Sequence, residues 1–249
     1  MERGLLPAAV EHPVAVDDGG LHARACELAA RYEQLAAAAE RAAVRWRWAT
    51  PTSGHGDVEP LRLERMGCAL GRWLHRPPPP WQDHEAIGFD ALGRVVVVRQ
   101  YDAAGEVWLE RFAAWARDAV ELVCYRAPLE SPDGELAAEL QCVTRLRLAA
   151  GKPVESERYL PPTGLHTRER YHHEGGRLVR VEEDSCDEGG GLATVVKLVV
   201  YGDDGRVTGV EALGPEGRTA IWRNGGQPHP ARREVRPSAP ARLRRQVCA

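Results

Sequence analysis

The strongest constraint on this chain is a train of eleven short segments, alternating or β-branched in character, that turn residues separate between residues 84 and 223. They fall near 84–90, 94–101, 106–113, 119–126, 136–148, 154–160, 165–174, 177–184, 192–201, 206–213 and 218–223. Most connections are two to five residues long and carry Gly, Pro, Asp or Asn. Links that short cannot hold a crossover helix, so consecutive strands must pair antiparallel. A meander of such width does not stay flat, which predicts a curled or partly closed sheet.

Upstream the periodicity changes from two to between three and four. Leu21, Ala25, Leu28, Tyr32, Leu35, Ala39, Ala42 and Trp46 recur at helical spacing, Asp18 is placed to cap the first turn, and Pro51 to end the helix. A second helix is expected over Glu59–Arg76, weakened by Gly67 and Gly71 at about 1 kcal/mol each. Pro77–Pro80 form a stiff connector, since each ring fixes its own φ and restricts its predecessor. From Gly225 the chain is rich in Pro and Arg; residues 229–249 carry six arginines against Glu234, a local +5 within a total of −3. The expected fold is α+β: an N-terminal helical pair (1–76), a proline-rich connector (77–83), an antiparallel β-meander (84–224) and a disordered basic tail (225–249).

Several hairpins share a turn signature. Phe89-Asp-Ala-Leu-Gly93-Arg94-Val95, Tyr101-Asp-Ala-Ala-Gly105-Glu106-Val107 and Tyr201-Gly-Asp-Asp-Gly205-Arg206-Val207 repeat it, and Tyr171-His-His-Glu-Gly175-Gly176-Arg177-Leu178 carries one extra residue. Asp and Gly tolerate the left-handed backbone of a tight turn, and the flanking aromatic and aliphatic residues pack across the strands. The pattern resembles the YD repeats of the RHS family, whose motif reads Tyr-Asp-x-x-Gly-Arg-Leu, and the resemblance covers these turns alone. It implies a scaffold rather than a catalyst. Small proteins with such hairpins also resemble the immunity proteins that accompany bacterial polymorphic toxins.

Net charge −3 and a pI near 6.3 give no global attraction to nucleic acid or anionic membrane. Thirty-one of the 33 basic residues are Arg, only Lys152 and Lys197 being lysine, which fits a GC-rich codon bias as well as phosphate binding. No apolar run approaches the ~20 residues of a bilayer span, and residues 1–13 do not read as a signal peptide. Six scattered cysteines without a CxxC pair suit reduced, inert thiols in a cytoplasm.

Strand 165–174 carries the most suggestive chemistry. One side presents His166, Arg168, Arg170, His172 and Glu174, with no apolar residue. Strand 136–148 likewise sets Arg145 and Arg147 opposite a side of Leu, Cys and Thr. Period two therefore predicts one core face and one charged face, suited to a protein partner or an anionic ligand. His172 and His173 point oppositely and spacing fixes no third ligand, so no metal or other cofactor is expected. The run Glu182–Glu188 reads as an acidic loop without calcium-loop spacing. Thr52-Ser53-Gly54-His55-Gly56-Asp57 holds Ser, His and Asp within one loop, where they cannot converge as a triad. Trp46, Trp48, Trp73 and Trp81 are expected between the helices and the sheet.

These readings favour a non-catalytic protein-interaction module of the immunity or toxin-associated bacterial kind, binding through Arg145, Arg147, His166, Arg168, Arg170, His172 and Glu174. The rival is an enzyme or small-molecule binder with a site inside the curled sheet, using His172 and Glu174 as acid and base. Nucleic-acid contact through the arginine tail is a third and weaker reading, since the tail lacks aromatic side chains for base stacking.

Overall fold

The computed structural model describes residues 20–130, 136–186 and 192–224. Asp18 and the tail 225–249 lie outside the described residues. The elements are α1 (Leu21–Leu28), α2 (Tyr32–Ala42), β1 (Arg45–Ala49), α3 (Arg62–Arg65), β2 (Trp73–Leu74), β3 (His84–Phe89), β4 (Val95–Tyr101), β5 (Val107–Trp115) and β6 (Ala119–Glu130). They continue with β7 (Leu136–Ala149), β8 (Lys152–Leu160), β9 (Leu165–Glu174), β10 (Arg177–Cys186), β11 (Leu192–Tyr201), β12 (Val207–Gly214) and β13 (Gly217–Arg223). All thirteen strands form one antiparallel sheet, running from β13 in unbroken sequence down to β3 and then to β1 and β2. The architecture is thus mostly β rather than α+β, and the sheet is open, with β2 and β13 as its two edges.

The shared turn signature has a shared geometry. In the β3–β4 and β4–β5 hairpins, Asp90 and Asp102 each accept two backbone N–H groups, from Leu92 and Arg94 and from Ala104 and Glu106. Gly93, Gly105 and Gly205 all sit at φ between +74 and +80. A side chain there would meet the left-handed penalty, and the register slips by one residue beside each turn, as a glycine bulge requires. The longer motif differs: Gly175 and Gly176, at φ 55 and 84, form a two-residue hairpin loop.

The helical stripe is present in two pieces. α1 buries Leu21, Ala25 and Leu28 near β7 and β8, whereas α2 packs near β3, β4 and β5. A single straight helix from Leu21 to Trp46 would run about 39 Å and leave a twisted sheet; the break at Ala29–Arg31 keeps both pieces on it. Together they cover Val97, Phe112, Val123 and Val143, and the buried Tyr125 hydroxyl donates to the Leu28 carbonyl at 2.6 Å. Beyond Ala42 the chain stops being helical. Val44 N–H donates to Phe89 O, and β1 pairs along the otherwise unpaired edge of β3.

The expected second helix shrinks to four residues. Residues 50–72 instead form a strap across the sheet face opposite the helices. Leu61 enters α3 at φ 52 and Gly67 leaves it at φ 74. Cys68 N–H returns to Leu63 O and Gly67 N–H to Glu64 O, the paired bonds of a Schellman stop. The strap also sets the curvature. Ser53 bonds Glu85 of β3, the Leu63 side chain packs on Gly54, and α3 lies against β12 and β13. In a flat sheet β3 and β13 would stand ten spacings, about 48 Å, apart. Meeting around one short helix requires the sheet to curl about the strap.

Candidate functional site

Both faces of β3–β6 are dressed, by the helices on one side and the strap on the other. The helix-side face of β7–β11 has no described element over it beyond α1 at its margin. Register places its side chains in rows. Glu121, Arg145, Glu157, Arg168 and Asp184 form one, and Arg147, Glu155, Arg170, Glu182 and Val196 the next. His172 pairs with Arg180, which pairs with Leu198.

These rows are cross-linked. Glu155 takes Arg147 on one oxygen at 3.2 Å and Arg168 on the other. Burial alone would raise the Glu155 carboxyl, but the two guanidiniums outweigh it and hold the group below its ordinary range. Arg170 spans Glu182 at 3.1 Å and Asp184 at 2.9 Å, and Arg180 meets Glu182 at 2.8 Å. The His172 Nε2 lies 3.4 Å from the same Glu182. Pairs this exposed contribute about 0.2–1 kcal/mol each, so they orient the side chains more than they stabilise the fold. Arg145 lies between Glu121 and Glu157, and its buried Nε has no hydrogen-bond partner among the described residues. In these rows five arginines (145, 147, 168, 170 and 180) face five carboxylates (Glu121, Glu155, Glu157, Glu182 and Asp184), so the charges balance with the histidines neutral.

The seven residues singled out in the sequence share this face by strand parity, but they do not form one cluster. Arg147, Arg168, Arg170 and His172 belong to the ladder. His166 stands at the far end of β9 opposite Tyr159 and Cys186, and Glu174 at the other end opposite Arg177. The sequence reading missed the acids that hold the arginines apart. Glu155, Glu157, Glu182 and Asp184 follow the same period of two and could have been read from it. Glu182 to Cys186 are part of β10, not a loop.

The loop residues Ser53, His55 and Asp57 each find a different partner. Ser53 donates to Glu85 at 2.6 Å, the His55 ring stacks on Trp73 at 4.1 Å, and Asp57 accepts from Arg111 at 2.5 Å. Of the tryptophans, Trp46 packs against the core under the helices, while Trp81 is 72% exposed.

On the opposite face, polar side chains buried between strap and sheet pair in series. Asp57 meets Arg111 of β5, Glu59 meets Arg158 of β8, and Arg65 meets Glu169 of β9. A cavity of about 100 Å³ lies among the first two pairs, floored by Cys124 and Cys142, which are directly opposed on β6 and β7. Burial pushes the Cys124 thiol up to about 12 and raises that of Cys142, so both stay protonated and weakly nucleophilic. Arg111 and Arg158 occupy positions where their strands otherwise turn apolar or small side chains to the strap, a parity signal legible in the sequence. Comparison with models of known protein families and with curated proteins gives no match.

Proposed function

We propose that this chain is a non-catalytic protein-interaction module, of the immunity or toxin-associated bacterial kind, that engages a partner protein through the charged face of β7–β11. The observation that carries this reading is coverage: among the described residues, the ladder around Arg147, Arg168, Arg170 and His172 lies bare while both faces of β3–β6 are packed. Its guanidiniums are held by cross-strand carboxylates, which lowers the ordering cost of docking and favours a partner with complementary charge. The acid–base alternative loses support from the same geometry. The His172 side chain is 47% exposed and Glu174 is exposed, so neither sits in an enclosed site.

The test is the double substitution Arg168→Ser/Arg170→Ser. Affinity capture from lysate of the source organism, followed by titration of each purified candidate, is expected to give one stoichiometric partner. The variant should bind it at least tenfold more weakly while its melting temperature stays within about 2 °C of the parent, as expected for exposed pairs. Undiminished binding, or a collapsed fold, would remove the assignment of this surface.

A further inference from the structure

Between β2 and β3 the chain crosses the end of β1, a step of two strand spacings or about 10 Å, which about four extended residues cover. The connection has nine, residues 75–83, reading His75-Arg76-Pro77-Pro78-Pro79-Pro80-Trp81-Gln82-Asp83. Each ring fixes its own φ, and the ring that follows bars residues 76–79 from the helical region. Residues 77–79 are therefore held in the extended, left-handed polyproline form. Both ends are anchored. Leu74 pairs with Trp48 of β1, and Gln82 N–H closes a turn on the Pro79 carbonyl at 3.1 Å. The Pro80 backbone lies against Gly105 of the β4–β5 turn, where an added methyl would come to 3.1 Å from the Pro80 carbonyl oxygen.

A polyproline helix has three residues per turn and so three ridges. Pro78 is half-buried and marks the ridge turned to the protein, whereas Arg76, Pro77, Pro79 and Pro80 are exposed. Two ridges thus face solvent. The Pro77 and Pro78 carbonyls accept no hydrogen bond among the described residues. Trp81 follows at the turn with 72% exposure, the highest of any large apolar side chain among the described residues.

This chemistry is selective. Proline has no N–H, so the segment cannot add a strand to a partner's sheet. Arg76 is its only full positive charge and Asp83 its only carboxylate, so charge recognition has little to hold. What it offers is proline rings and unspent carbonyls at fixed spacing. Aromatic side chains match both, since proline rings pack on their faces while a phenol O–H or indole N–H donates to the carbonyls. The prolines and anchors have already removed most backbone freedom, which lowers the ordering cost of docking.

We propose that residues 76–81 form a second interaction surface, taken by a partner protein into a groove lined with Tyr and Trp side chains, with Trp81 as the adjoining anchor. The surface is separated from the charged ladder by β3–β6 and does not depend on it.

The probe is an isotope-labelled WW domain, whose groove is built from a Tyr and a Trp, titrated with the full chain and followed by NMR. A saturable shift of the groove indole N–H is expected, with a dissociation constant on the order of 10–500 μM, as suits a small transient interface. Pro77→Ala/Pro79→Ala and, separately, Trp81→Ala should each weaken binding at least fivefold. These side chains are exposed, so melting temperatures should match the parent and either variant carries the test if the other does not fold. A proline decamer should displace the chain from the groove. Arg168→Ser/Arg170→Ser should bind the domain unchanged, which separates failure here from failure of the charged face. Three results would each overturn the assignment. They are absence of a saturable shift at the groove, undiminished binding by a folded Pro77/Pro79 or Trp81 variant, and partition onto phosphatidylcholine vesicles that Trp81→Ala abolishes, which would place the indole at a lipid surface instead.

Discussion

Arg65→Met removes one half of the most enclosed ion pair between strap and sheet. The Arg65 side chain is 2% exposed and that of Glu169 5%. Arg65 also donates Nε to the Pro60 carbonyl at 3.0 Å, and Glu169 accepts from Ser156 at 3.2 Å and from the Tyr171 hydroxyl. Burial alone would raise the Glu169 carboxyl. The charge and hydrogen bond of Arg65, with the Tyr171 hydroxyl, more than offset burial and bring it from 4.5 to about 2. That depression favours the folded state. Because the folded value is depressed, this stabilisation is complete above pH ~4.5 and is lost as pH falls toward ~2.

Without Arg65 a carboxylate remains buried with only two hydroxyl donors, an arrangement that costs about 3–5 kcal/mol. The sign of the local pH dependence also reverses. Burial then raises the Glu169 carboxyl, so the variant should lose stability as pH rises and regain part of it between pH 7 and 5. Urea unfolding followed by tryptophan fluorescence at pH 7, 5 and 3 measures both effects, and adding Glu169→Gln should recover part of the loss at pH 7. A penalty under about 1 kcal/mol at pH 7, with a pH profile parallel to the parent, would refute the view that this pair anchors the strap.

Three further outcomes follow from the packing. Tyr125→Phe deletes one of the two donors to the Leu28 carbonyl, which keeps the Arg31 N–H at 2.8 Å, and should cost about 0.5–1.5 kcal/mol in the same urea assay. Gly88→Ala would bring a methyl group to 2.7 Å from Val97 Cγ1 and 3.1 Å from the Ala43 Cβ, so overpacking of about 1–3 kcal/mol is expected as a lowered melting temperature. Brief iodoacetamide treatment of the folded protein at pH 8, read by peptide mass spectrometry, should label the exposed Cys26 well before Cys124, whose burial pushes its thiol up to about 12.

What the sequence determined by itself is the meander. Alternation of side chains is a property of each strand, and the Asp–Gly turns close through bonds within five residues, as at Asp90 and Asp102, so both are written locally. Parity likewise placed Arg145, Arg147 and the even-numbered residues of β9 on one face before any contact was known. What lay beyond it depends on partners remote in the chain. Residues 45–49 continue a helical spacing through Trp46, yet they are a strand because the edge of β3 offers hydrogen bonds that a helix would leave unmade. Residues 59–76 read as an amphipathic helix, yet all but four residues lose that form. Their Glu59 and Arg65 find Arg158 and Glu169, 99 and 104 residues away, on the inner wall of the curled sheet. The ladder of acids between the arginines and the cavity beneath the strap follow from the same cause. A buried charge must have a partner, and which strand supplies it is settled only when the sheet has paired and curled.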